Sequence, residues 1–167
     1  MGGKDADTGH VRPGWNYGES IGGGSGAGPG WHGTSGVHVH STNTKITDPE
    51  IIEKRTPVLV RRYEIREGSG GVGEFKGGCG IVREIEARVD LKFSVVSTRR
   101  TYSPYGMASG GDGSVGRNFV WRTGGRKVSI GGMAVINVKA GESIEINTPG
   151  MLLQFHVING GVLTDCR

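Results

Sequence analysis

The chain has 167 residues, of which 33 are glycine and 34% are apolar, with a formal charge of +4. That is enough for one domain with its own core, but the glycine share is about three times the usual one and disfavours a helix-rich fold, because glycine inside a helix costs roughly 1 kcal/mol against alanine. The glycines keep no Gly-x-y period, acids interleave with bases, and no apolar run approaches the roughly 20 residues of a membrane helix, which argues against collagen, a nucleic-acid partner and a membrane span.

Residues 1–14 are polar and rich in Gly and Asp, and read as an unstructured lead-in. No signal-peptide core is present, and Met1-Gly2 is followed by Ala6 where a myristoylation signal would carry Ser or Thr, so a cytoplasmic protein is expected. Glycine crowds Gly22 to Gly36 beyond what a spacer needs, which implies close approach of backbones. Val37 to Ser41 alternates as a strand. Asp48-Pro49-Glu50 opens a short helix near 48–55 that Pro57 must end.

From Pro57 onward the pattern is β. Val58 to Arg66, Ile81 to Val89, Leu91 to Ser97, Asn118 to Thr123, Val128 to Ile130, Ala134 to Val138 and Ser143 to Asn147 are predicted strands separated by glycine turns. The expected fold is mainly β, an antiparallel sandwich or barrel-like sheet with glycine-rich loops and one short helix. Cys79 and Cys166 lie far apart without a Cys-x-x-Cys spacing, as in a reducing compartment.

Several residues could carry chemistry. His38 and His40, two apart on a strand, would share a face, as metal ligands do or as two half-exposed histidines that hydrogen-bond locally or to substrate. His32 or Asp48 could close a metal site, but neither spacing is diagnostic. Thr42-Asn43-Thr44 could hold carbonyl or phosphate oxygens, or cap its own turn and the following helix. Arg99 and Arg100 end a strand where a planar guanidinium could clamp a carboxylate, or form salt bridges between domains. Glu19 is the acid near the glycine loop that could act as a base. Cys79 has no histidine nearby to activate it. No Gly-Lys-Ser/Thr follows Gly22 to Gly30 and no strand-glycine-helix pattern surrounds it, so the run is neither a Walker loop nor a dinucleotide fingerprint.

The succession of this glycine loop, His38-Val39-His40 and Thr42-Asn43-Thr44, with Arg61 to Gly71, Phe75 to Gly80 and Ser97-Thr98-Arg99-Arg100, resembles the C-terminal part of the hydantoinase B/oxoprolinase family from Tyr17 to Gly150. The wording of Gly28 to Thr34 and Ile46 to Glu50 looks most like eukaryotic ATP-dependent 5-oxoprolinases. The resemblance implies a fragment of a cyclic-amide hydrolase that turns 5-oxoproline, ATP and water into glutamate, ADP and phosphate. The residues themselves make His38, His40 and Glu19 the candidate catalytic groups and Thr42, Asn43, Thr44, Arg99 and Arg100 the candidate substrate contacts.

ATP and a divalent metal would serve the complete enzyme and be bound outside this chain, with no cofactor here. A hydantoinase A-like half or subunit would be the ATP-binding partner of a complete homo-oligomer. The histidines then read as local or substrate contacts, because the metal-binding residues of such proteins lie in an upstream portion. The expected division is a lead-in (1–14), a β domain (15–150) and an atypical tail (151–167), in which Met151 to Ile158 stands where further glycines and an aromatic are expected. A chain so much shorter than such proteins reads as the final segment of a B half, inactive alone. The alternatives are a non-catalytic β subunit or binding module, and a subunit of a related ATP-dependent carboxylase.

Overall fold

The computed structural model describes residues 2–3, 17–38 and 42–151. Among them, strands β1 (Gly2–Gly3), β2 (Val58–Ile65), β3 (Ile81–Ala87), β4 (Leu91–Val96), β5 (Arg117–Arg122), β6 (Arg126–Ser129), β7 (Met133–Val138) and β8 (Ser143–Asn147) accompany one helix, α1 (Pro49–Arg55). No described helix is long and apolar enough to cross a membrane.

Helix α1 begins as its sequence dictates. Asp48 caps it by accepting from the amides of Glu50 (2.9 Å) and Ile51 (3.4 Å), and Pro49 takes the first turn where no N–H is needed. Thr56 closes it, its hydroxyl donating to the Ile52 carbonyl at 2.8 Å. The single buried side chain, Ile52, ties the helix to the core.

The strands form two antiparallel sheets, β1-β4-β7 and β2-β3-β8-β5-β6. Leu91, Phe93 and Val95 of β4 and Val138 of β7 face Val58, Ile85, Ala87, Val120, Ile144 and Ile146 of the larger sheet across one core. The expected mainly β fold is therefore present as two packed sheets that do not close into a barrel. Alternation sets the faces: in β4 every second residue, from Leu91 to Val95, is buried and the others are exposed.

Three local details differ from the pattern-based expectation. The last short strand before Ala134 begins at Arg126 rather than Val128, because Gly124 (φ 83°) and Gly125 (φ 78°) turn the chain tightly and put Arg126 opposite Arg122. Val37 forms an isolated bridge with Gly23, while residues 39–41 lie outside the described residues. Within the segment read as a lead-in, Gly2 and Gly3 pair with Lys92 and Leu91. The tail beyond Met151 lies outside the described residues.

The glycine runs are used to press backbone on backbone. The amide of Ser25 donates to the Thr34 carbonyl, and that of Gly78 to Ser25, both at 2.9 Å, so that three chain segments stack without side chains between them. A Cβ on Gly24 would lie 1.8 Å from the Gly78 carbonyl oxygen, and one on Gly78 would lie 2.1 Å from that of Thr34. Only glycine permits that approach.

Candidate functional site

This glycine layer lays the segment from Tyr17 to Gly24 along the open end of the two sheets and leaves a cleft of about 720 Å³. Its other walls come from Phe93 to Val96 of β4 and the following Ser97 and Thr98, from Arg100, and from Ile146 and Thr148 to Met151. Of the residues expected from sequence to act chemically, Glu19, Thr42 and Arg100 line it.

Arg99 and Arg100 part company at the end of β4. Arg99 takes a left-handed φ of 56°, which reverses the chain and sends its exposed guanidinium over the Tyr105 ring, 5.7 Å away. Arg100 turns the other way and its side chain lies against Gly116, where a Cβ would come within 2.5 Å of Nη1. Nη1 of Arg100 donates to the Thr98 carbonyl at 2.6 Å, and Nε and Nη2 donate to Asn118 Oδ1 at 3.3 and 3.0 Å. All these acceptors are neutral. Burial, and secondarily the like charge of Arg66, lower its pKa to about 10, so the guanidinium is charged at neutral pH but carries an uncompensated desolvation cost.

Arg66 shares the neighbourhood. Its Nη1 donates to the carbonyls of Val115 (2.8 Å) and Thr148 (3.1 Å), so the two arginines flank the Val115-Gly116 peptide. Burial and then the charge of Arg117 lower the Arg66 pKa. Neither Arg66 nor Arg100 forms an ion pair with a carboxylate among the described residues.

Glu19 is differently occupied. Its Oε2 lies 3.1 Å from Nη2 of the fully buried Arg83, and its Oε1 accepts from the Thr47 amide at 3.1 Å. The Tyr63 ring lies 5.0 Å from the Arg83 guanidinium carbon, and Nε and Nη1 of Arg83 have no hydrogen-bond partner among the described residues. Both carboxylate oxygens thus hold the glycine segment and the start of α1 to the larger sheet. Burial raises the phenol pKa values of Tyr17 and Tyr63 beside this pair.

The histidine and threonine cluster lies beside the cleft. His38 Nδ1 is 3.4 Å from Thr44 Oγ1, and its Nε2 is buried without a hydrogen-bond partner among the described residues. Val37 and Thr42 line the cleft, whereas His38, Asn43 and Thr44 do not. His40 lies outside the described residues.

His32 and Asp48, each considered as a further ligand, have structural partners. His32 Nδ1 accepts from the Lys76 amide at 2.9 Å, and Asp48 caps α1. Among the described residues no three His, Cys, Asp or Glu side chains come together to hold a metal. Burial raises the Cys79 thiol pKa, but hydrogen bonds from the backbone at Gly70, Ser69 and Gly68 and from the Ser69 side chain outweigh it, and the net shift is downward.

Three residues that sequence reasoning passed over complete the surroundings: Arg83, Asn118 and Arg66. A signal existed for the first two. Arg83 shares a strand face with Ile81, Ile85 and Ala87, and Asn118 shares one with Val120, so period-2 alternation turns each toward the interior. A polar group on an apolar face needs a partner, and that requirement marks it.

The sequence matches the Hydantoinase B/oxoprolinase family over residues 1–151. It is 56% identical over 155 residues to the 5-oxoprolinase PfmaA of Pestalotiopsis fici, covering 90% of this chain and 12% of that protein. It is 51% identical over 136 residues to 5-oxoprolinase 1 of Arabidopsis thaliana, covering 81% of this chain and 11% of that one. The chain thus spans about an eighth of the length of these relatives. The crystal structure of the ATP-dependent caprolactamase from Pseudomonas jessenii shares the fold, with a TM-score of 0.69 at 24% identity over 80% of this chain and 24% of that one.

Proposed function

Since this chain belongs to the hydantoinase B/oxoprolinase family, we propose that it is a segment of an ATP-dependent cyclic-amide hydrolase and that its cleft holds the carboxylate of a substrate such as 5-oxoproline. One observation carries the reading: Arg100 lines the cleft, and among the described residues only neutral acceptors satisfy its partly buried guanidinium. Buried charges are ordinarily paired, so a carboxylate arriving in the cleft would supply the counter-ion that the described fold omits.

A lactam is a poor electrophile, and in the complete enzyme ATP would make its amide oxygen part of a leaving phosphate ester before water opens the ring. The described residues do not fit either ATP or a divalent metal. The amides of Gly23, Gly24, Gly28, Gly33 and Gly36 are taken up by carbonyls, and no metal cluster is assembled among the described residues. What this chain contributes in the proposal is orientation. Arg100 fixes the carboxylate, Thr42 and the glycine wall shape the space around the ring, and Glu19 acts as an anchor of that wall through Arg83 and not as a base. The roles expected for His38 and His40 rest on their spacing of two along the chain, and an ATP-binding hydantoinase A-like partner belongs to the same proposal.

The test is an NMR titration of the 167-residue chain with 5-oxoproline and with 2-pyrrolidinone, the same ring without its carboxylate. Loss of a charge-assisted hydrogen bond of about 1.5–3 kcal/mol should weaken binding of the neutral ring by about tenfold or more. Arg100→Met should bring the two ligands level. Equal affinity of the wild-type chain for both rings sinks the proposal.

A further inference from the structure

Asn118 starts the inner face of β5 with 1% of its surface exposed. Its Oδ1 accepts both Arg100 contacts, and its Nδ2 donates to Ser97 Oγ and to the Gly131 carbonyl, each at 2.8 Å. The Ser97 hydroxyl gives its proton to the Gly132 carbonyl at 2.7 Å, so toward Asn118 it can only accept. Arg100 can only donate. The amide is therefore fixed one way round, with its oxygen toward the arginine.

The choice of an amide has an electrostatic consequence. Asn and Asp have nearly the same shape, and an Asp here would also accept from Nε and Nη2. It would, however, be the counter-ion of Arg100, and an arriving anion would meet a neutralised pair. It would also turn an oxygen on the Gly131 carbonyl in place of a donor. A neutral acceptor orients the fork and leaves the charge in force. Among the described residues three donated protons go to Thr98 and Asn118, which leaves one on each terminal nitrogen of Arg100 for a ligand.

We propose that Asn118 is the positioning residue of the cleft: it holds Arg100 in one orientation without neutralising it, and so makes the cleft selective for a ligand that bears a carboxylate. The proposal rests on the reading of Arg100 as a carboxylate clamp and adds the residue that tunes it. Asn118 itself touches no ligand, and its effect is exerted through the arginine.

The experiment compares wild-type chain, Asn118→Asp and Arg100→Met in titrations with 5-oxoproline and 2-pyrrolidinone. In Asn118→Asp the preference for 5-oxoproline should fall from about tenfold or more to near unity, with 2-pyrrolidinone affinity unchanged. A merely structural role would weaken both ligands together. If the wild-type chain shows no preference, the clamp and this inference fall together. If the preference exists and is lost in Arg100→Met but survives in a folded Asn118→Asp, the clamp stands and the inference is overturned.

Should Asn118→Asp fail to fold, the wild-type chain decides. The Arg100 Nε–H, held by Asn118, should exchange with water about tenfold or more slowly than that of exposed Arg99, since hydrogen-bonded groups exchange only on local opening. Equal exchange of the two arginines overturns the proposal.

Discussion

Take away the charge of Glu19, and the guanidinium of Arg83, with none of its surface exposed, keeps its burial and loses its anion. Breaking such a pair from one side costs about 3–5 kcal/mol, whereas replacing both partners with apolar groups of similar volume is often neutral or stabilising. Glu19→Gln should therefore lower unfolding free energy in urea by about 3 kcal/mol, and Glu19→Leu combined with Arg83→Met should recover most of that. Additive losses in the double variant would show that the pair is not the unit of stability. Neither partner could be matched from sequence, because 64 positions separate Glu19 from Arg83 and only the fold closes that distance. What could be read was the anomaly of a cation at the inward register of β3.

The strands show which elements a sequence specifies. Strands such as β4, with one buried face, and β8, buried on both, stand out through alternation or an apolar run, and their ends lie within about two residues of where the pattern places them. Edge strand β6 starts ahead of its apolar pattern because Arg126 and Lys127 are cationic and its start is set by the turn. The order β2-β3-β8-β5-β6 depends on pairings between distant segments, to which periodicity is blind.

The glycine runs were legible as a sign of close backbone approach, but not their partners. Gly78 offers the sharpest test, since its Cβ would meet the Thr34 carbonyl at 2.1 Å and the Ser25 nitrogen at 2.9 Å. Both neighbours are backbone atoms that must move together, so Gly78→Ala should cost about 3 kcal/mol or more, at the upper end of overpacking. Gly124→Ala, at φ 83° in an open turn, should cost about 1–2 kcal/mol for its left-handed conformation alone. Urea denaturation of the two variants checks the order. A Gly78→Ala loss below that of Gly124→Ala would mean that the glycine layer is loose.

At the scale of the whole chain, the question is whether a glycine-rich cleft, in a fold shared with an ATP-dependent caprolactamase, is itself a phosphate cradle. A cradle needs several free backbone N–H groups converging on one point. Here the amides of Gly23, Gly24, Ser25, Gly28, Gly33 and Gly36 donate to the carbonyls of Val37, Pro149, Thr34, Trp31, Lys76 and Cys79. Much of the run that could hold a triphosphate by composition is thus engaged in holding the fold together, and no Gly-Lys-Ser/Thr follows it. ATP with Mg²⁺ should consequently leave the amide signals from Gly22 to Gly36 in place, and the purified chain should release no glutamate from 5-oxoproline, while 5-oxoproline alone moves the signals of Arg100 and Asn118. Saturable ATP-dependent shifts within Gly22 to Gly36, or glutamate above a protein-free control, would show that those amides open to a nucleotide and that the packed arrangement is only one of two states.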